Sequence, residues 1–214
     1  NNPTWDEEDS GWKADQVFVG HVNFLPLICL MNRAPKYLIV WGEEVWKRLS
    51  CLQRLGISRI DKILSISAYT AEQMAKYNNL QKGYFTIFPT LDPFYGSDTI
   101  ARDRSGLGLP KGRMILSVAR LDGAERKKGI DNVIEALSAT VKDVPDAFYV
   151  IVGDGTDRQR LETLAKQAGV ADKVIFVGQV PNELTPSYYQ SCDIFVLPSI
   201  QEGFGIVFLE AMCH

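Results

Sequence analysis

The sequence predicts an α/β protein built from two parallel-sheet domains, and three observations predict it. Short apolar runs rich in Val, Ile, Tyr and Phe alternate with segments of helical period along the 214 residues. Those runs are continuously apolar, which marks strands buried on both faces of a parallel sheet by covering helices. Between Pro89 and Arg113 the pattern breaks: Pro93, Gly96, Gly106, Gly108, Pro110 and Gly112 punctuate a stretch with no apolar period, as in an interdomain linker. The boundary is placed near Leu109, giving domains at residues 1–108 and 109–214.

Each element has its own signal. Asn1 to Asp15 is polar and reads as a loop. Gln16 to Val19 is a short buried strand, and His21 to Asn32 a mostly apolar helix broken or started by Pro26. Tyr37 to Trp41 is a second strand, ended by Gly42. Glu43 to Leu55 carries Val45, Leu49 and Leu52 on one helical face, with Gly56 as its stop. Ile63 to Ile66 is a third strand, Thr70 with Gln73 a capping box for a helix through Lys76, and Tyr84 to Phe88 a fourth strand closed by Pro89. In the second half Met114 to Val118 is a strand, and Ile130, Val133, Ile134, Leu137 and Val141 mark one helical face. Phe148 to Val152 follows, then a helix marked by Leu161, Leu164, Ala165 and Ala168 with Gly169 beyond its end. Val174 to Val177 ends at Gly178, a short helix runs from about Glu183 to Ser191 with Asn182 as N-cap, and Ile194 to Leu197 stops at Pro198. The chain begins without a first strand or glycine-rich loop and stops inside a helical pattern, so both domains are expected to be incomplete.

Composition narrows the function classes. A net charge of −3 argues against nucleic acid as a partner. Cys29, Cys51, Cys192 and Cys213 form no C-x-x-C pair and are expected to be free, buried thiols of a reducing compartment. The longest early apolar run, Phe24 to Met31, is too short to span a bilayer. There is no D-x-D triplet and no clustered His/Cys set, so no metal site is expected.

The chemistry concentrates after the strand at Ile194, where the chain reads Glu202-Gly203-Phe204-Gly205-Ile206-Val207-Phe208-Leu209-Glu210-Ala211-Met212. In an open parallel sheet ligands bind at the carboxyl edge of the strands. A helix starting at Ile206 would offer unpaired N–H groups and a positive dipole end to a phosphate. Gly203 and Gly205 leave room for close approach, and the carboxylates of Glu202 and Glu210 can accept hydrogen bonds from hydroxyls in the same pocket. A phosphorylated sugar suits that pattern; a tight turn before an acidic helix start is the plainer alternative. A second cationic cluster follows the strand at Met114: Arg120 at its carboxyl end, then Lys127 and Lys128 before Gly129. A guanidinium and an ammonium at a sheet edge make a diphosphate clamp, although a solvated basic loop would look the same.

Glu202 to Glu210, including its interior, resembles the E-x7-E motif of retaining glycosyltransferases of the GT-B fold, in particular glycosyltransferase family 4. The resemblance covers most of the chain and is most specific from Met114 onward. It implies two Rossmann-like domains facing a cleft, and transfer of a sugar from a nucleoside diphosphate sugar to an acceptor hydroxyl with retention. The setting it implies is polysaccharide or glycan assembly on a glycan or lipid-linked acceptor, by a cytoplasmic enzyme for which peripheral membrane association is compatible. It implies no metal cofactor, and UDP-sugar is the favoured donor. By the same resemblance Arg120 and Lys128 bind the donor diphosphate, with Lys127 an alternative to Lys128. Glu202 holds a hydroxyl of the transferred sugar, and Glu210 binds the ribose hydroxyls. The backbone of Gly203, Phe204, Gly205, Ile206 and Val207 touches sugar and phosphate, and Val180 and Asn182 receive the base, although a plain loop would read the same there. Gly153-Asp154-Gly155 reads as a tight turn.

The first half departs from the pattern. Trp41 stands where relatives carry a His beside a Gly, and Pro89-Thr90-Leu91-Asp92 replaces a Pro-Asn-Gly. His21 follows a strand but is read as structural. These departures keep a catalytically impaired nucleotide-binding remnant of the fold open; a nucleotide-sugar epimerase, an enzyme class that uses the same fold, is the other alternative, although no acid/base groups for it are clearly placed in the first half.

Overall fold

The computed structural model describes residues 14–30, 34–80, 82–92, 95 and 104–214. The chain divides into two compact units, Asn1–Pro89 and Thr90–His214. The expected break lay near Leu109, and the described part of the expected linker packs on the second unit instead. Arg104 donates to the carbonyls of Ser191 at 2.6 Å and Gly112 at 2.5 Å, and to Asp193 Oδ2 at 2.7 Å.

The first unit is a parallel sheet of four strands in the order β1 (Val17–Val19), β2 (Lys36–Val40), β3 (Lys62–Ser65), β4 (Tyr84–Thr86). Its core joins Leu38 and Val40 of β2 to Leu25, Val45 and Ile57. The predicted helix at His21 is a 3-10 turn at Val22–Phe24 followed by one turn of α1 (Leu25–Ile28) with Pro26 at its start. Residues 1–13 and 31–33, where the expected loop and the end of that helix fall, lie outside the described residues.

The helix boundaries of this unit differ from the prediction. Helix α2 spans Cys51–Ser58 rather than starting at Glu43, because Ser50 and Gln53 form a capping box there. Gly56, expected to end that helix, lies inside it: a Cβ would stand 2.1 Å from the Leu25 carbonyl oxygen, so this glycine is set by close packing. Helix α3 (Ala68–Asn78) is capped by Ser67, whose side chain accepts from the Thr70 N–H, rather than by Thr70.

The second unit holds β5 (Arg113–Val118), β6 (Ala147–Val152), β7 (Val174–Gly178) and β8 (Ile194–Phe195), all parallel, in the order β7-β6-β5-β8. All six residues of β6 are buried, which is why it reads as one apolar run. Tyr149 and Ile151 face α4 (Ile130–Asp143) and α5 (Arg158–Gln167). Phe148, Val150 and Val152 face the opposite core with Tyr188 and Tyr189 of α6 (Thr185–Ser191). Asn182 opens a 3-10 turn rather than capping α6, and the predicted strand to Leu197 is only two residues long. Ile194 is 53% exposed, since β8 is an edge strand among the described residues. Helix α7 (Ile206–Met212) follows. The four cysteines are free; Cys51 and Cys213 are exposed and Cys29 and Cys192 partly buried, where all were expected to be buried.

Candidate active site

Strand order locates the site. The chain moves outward from β5 to β6 to β7, then crosses back to place β8 on the other side of β5. The loops after β5 and β8 therefore leave the sheet in opposite directions, opening a crevice at their carboxyl ends.

Close backbone contacts shape that crevice. Gly153, just after β6, has φ +128°, and a Cβ there would lie 1.9 Å from the Ala119 carbonyl oxygen. This contact lets the chain after β5 run along the loop after β6: the Ala119 N–H donates to the Val152 carbonyl at 3.0 Å and the Leu121 N–H to the Asp154 carbonyl at 3.0 Å. Arg120 lies between those bonds, exposed, with no ion-pair partner among the described residues. Asp154 accepts from the Gly155 N–H at 2.8 Å and pairs with Arg158 at 3.2 Å, the behaviour of a turn residue.

The loop continues through a 3-10 turn, Gly123–Lys128, to Gly129 at φ +72°. A Cβ on Gly129 would stand 2.6 Å from the Pro198 carbonyl oxygen, so glycine brings the β5 loop against the β8 loop. The Ile200 N–H donates to the Lys127 carbonyl at 2.9 Å, and Lys128 Nζ meets Glu202 Oε2 at 2.8 Å. Both charged side chains are mostly covered, at 20% and 28% exposure, so the pair is better shielded from water than a surface salt bridge. Of the two neighbouring lysines, Lys128 is thus the one joined to Glu202. Asp157 anchors the same loop from the start of α5. It is buried, takes two bonds from Arg160 at 2.8 and 2.6 Å, and pairs with Arg126 at 3.3 Å. The Arg160 hydrogen bonds hold its carboxyl below the usual range, against the opposing effect of burial.

A cavity of about 490 Å³ opens beside these loops. That is the size of a small-molecule site. Four of the predicted residues, Arg120, Val180, Asn182 and Val207, line it together with Gly153 and Thr185. Lys128 and Glu202 meet each other, and Gly205 caps α7 with φ +82°. Gly203, Phe204 and Ile206 complete the turn into α7. Glu210, one turn along α7, accepts a hydrogen bond from the Tyr189 hydroxyl at 2.8 Å. Burial, then the Glu210 charge, push the Tyr189 phenol well above its ordinary range. Sequence reasoning misses Tyr189 and Tyr95, and reads Gly153 only as a turn. Tyr188-Tyr189 stands on an apolar helix face and looks like core, which in part it is.

In the first unit the departures are fixed in place. Trp41 Nε1 donates to the Gly20 carbonyl at 2.8 Å, and its N–H donates to Glu44 Oε1 at 2.6 Å. His21 Nδ1 accepts from the Asn23 N–H at 3.1 Å, a capping role that agrees with the structural reading. Among the described residues, no group of three or more His, Cys, Asp or Glu side chains could hold a metal ion, and no helix is long and apolar enough to cross a membrane.

A family model described as glycosyl transferases group 1 matches residues 100–214. The chain belongs to this glycosyltransferase family. Among its relatives, the GDP-mannose-dependent alpha-(1-6)-phosphatidylinositol monomannoside mannosyltransferase of Mycolicibacterium smegmatis is 32% identical over 189 residues, covering 79% of this chain and 47% of the relative. The 2-deoxystreptamine N-acetyl-D-glucosaminyltransferase of Streptomyces fradiae is 27% identical over 170 residues, covering 77% of this chain and 40% of the relative. This glycosyltransferase chain thus spans less than half the length of those two relatives. Among solved structures, sucrose-phosphate synthase from Thermosynechococcus elongatus superposes with a TM-score of 0.76 at 21% identity, covering 92% of this chain and 53% of that one. WaaG, a glycosyltransferase involved in lipopolysaccharide biosynthesis, superposes at 0.65 with 20% identity, covering 94% and 57%. With two parallel-sheet α/β units and these neighbours, the fold is GT-B-like.

Proposed function

We propose that the chain carries the donor half of a retaining glycosyltransferase, which moves a sugar from a nucleoside diphosphate sugar to an acceptor hydroxyl in glycan assembly. The observation that carries this reading is the crevice between the loops after β5 and β8. There Arg120 lines the cavity, and Lys128 is held against Glu202 at 2.8 Å. Charge on the departing diphosphate would be met by the Arg120 guanidinium and, once it exchanges partners, by the Lys128 ammonium. Glu202 would turn to a sugar hydroxyl, and Glu210 would accept from the ribose. Among the described residues no side chain in the crevice stands out as a nucleophile, which suits a front-face path with retention, in which the leaving diphosphate takes the acceptor proton. The charge of the clamp takes the part a divalent cation plays elsewhere. Membrane-side glycan assembly is supported by a relative named as a phosphatidylinositol monomannoside mannosyltransferase and a structural neighbour involved in lipopolysaccharide biosynthesis.

The base is a matter for experiment: one relative's name specifies GDP-mannose, and a solved neighbour, HepE from Anabaena, was crystallised with UDP. Isothermal titration of the chain with UDP, GDP and ADP, repeated on Arg120→Ala, tests the reading. One nucleotide should bind, and the variant should lose at least tenfold in affinity while its circular dichroism stays unchanged. Equal affinity in Arg120→Ala would overturn the clamp. A second reading, a nucleotide-binding remnant, is favoured by Trp41 just after β2, whose indole is tied to the Gly20 carbonyl where the sequence resemblance implies a His. Slow consumption of a donor sugar without acceptor by the protein would exclude it.

A further inference from the structure

Glu210 does not stand alone. Its Oε2 accepts from the Tyr189 hydroxyl at 2.8 Å, and the buried Tyr95 phenol stands near enough to the same carboxylate for burial, then the Glu210 charge, to raise it above its ordinary range. Both phenols are buried, Tyr189 at 2% exposure and Tyr95 at 9%. The Tyr189 ring is wedged against Phe195 of β8 at 5.6 Å between centroids, and against Tyr95 at 6.4 Å. A ring held on two sides keeps its hydroxyl in one place. The helix spacing links this cluster to the cavity. Thr185 of α6 and Val207 of α7 line the cavity, and Tyr189 and Glu210 lie four and three residues further along those helices, on the same faces. An ionised carboxylate has about four lone-pair sites. The Tyr189 phenol occupies one of them and Tyr95 flanks the group, leaving acceptor capacity for a vicinal diol.

We propose that Tyr189 and Tyr95 are positioning residues that set the Glu210 carboxylate to recognise the ribose hydroxyls of the nucleotide. The inference rests on the donor-site reading above and adds how discrimination for ribose is built. Neither tyrosine touches the nucleotide; both act through Glu210. A carboxylate without these neighbours would sample several rotamers, and its loss would be felt by a ligand bearing the diol and not by one lacking it.

The test uses the whole chain and two probe pairs, UDP with 2′-deoxy-UDP and GDP with 2′-deoxy-GDP, titrated against wild type, Tyr189→Phe, Tyr95→Phe and Glu210→Gln. Wild type should prefer the ribonucleotide of one pair by about tenfold. Tyr189→Phe should cut that preference to threefold or less with the deoxynucleotide affinity unchanged, and Tyr95→Phe should act in the same direction. Tyr189→Phe combined with Glu210→Gln should add nothing to Glu210→Gln alone. A purely structural role would weaken both members of a pair alike, leave the ratio intact, and overturn the proposal while the donor reading stands. If Tyr189→Phe does not fold, the ribose preference of Tyr95→Phe decides between the same two outcomes. If wild type binds no nucleotide, or binds both members equally, the donor reading of Glu210 falls and the positioning role falls with it.

Discussion

Gly153→Ala tests the architecture on which the crevice depends. At φ +128° the new side chain enters a region that costs an L-residue about 1–3 kcal/mol. Its Cβ would also stand 1.9 Å from the Ala119 carbonyl oxygen, a backbone atom with no rotamer to change. The chains after β5 and β6 must therefore separate. That strains the Ala119-to-Val152 bond of 3.0 Å and the bond from the Gly153 N–H to the Gly178 carbonyl of 2.8 Å. Losing both adds roughly 2 kcal/mol, at about 1 kcal/mol net per hydrogen bond. The expected loss is about 3–5 kcal/mol, a large part of the stability of an ordinary domain. In urea, with a slope of about 2 kcal/mol per molar, the unfolding midpoint of the second unit should fall by roughly 1.5–2.5 M. Gly169→Ala is the control: it has φ +71° but nothing within 4 Å of a built Cβ. It should cost about 1–2 kcal/mol from backbone strain alone. If Gly153→Ala loses no more than Gly169→Ala, the carbonyl gives way freely and the close-approach argument is refuted.

Two further outcomes follow from single residues. Asp157 has a folded pKa held below its ordinary value, chiefly by the Arg160 hydrogen bonds. Its contribution is therefore fully present above the unfolded value of about 3.9 and is lost as pH falls through the folded value. The stability gap between wild type and Asp157→Asn, read by urea midpoints, should be constant from pH 7 to 5 and close progressively below pH 4. Ser50→Ala removes half of the capping box on α2 and should cost the first unit about 1 kcal/mol, measured by thermal or urea unfolding.

The strands were legible because a parallel sheet covered on both faces leaves a run of apolar residues, and β6 shows it at all six positions. The helix starts were less so. Ser50 and Ser67 each cap a helix, but Thr70 with Gln73 offered an equally good local pattern, and only tertiary packing separates them. Gly56 misled for the same reason: a glycine near a helix end signals a stop, whereas here it admits the Leu25 carbonyl from a distant segment. In the candidate site, the E-x7-E spacing brought forward Glu202 and Glu210, and a cationic cluster at a strand's carboxyl end, read with the family resemblance, brought forward Arg120 and Lys128. What it could not supply was pairing. That Lys128 meets Glu202, and that Glu210 sits under two tyrosines, depends on contacts across 74 and 21 residues and, for Tyr95, across the expected linker.

The Lys128–Glu202 pair also bears on how a ligand arrives. At distances well beyond the 2.8 Å that separates them, the two opposite charges act as a dipole and not as a net charge. The donor diphosphate proposed above would meet Arg120 in the cavity wall directly, and would gain Lys128 only by competing with Glu202 for it. Encounter and residence would thus answer to different cations: the salt dependence of the on-rate to Arg120, and the off-rate to Lys128 as well.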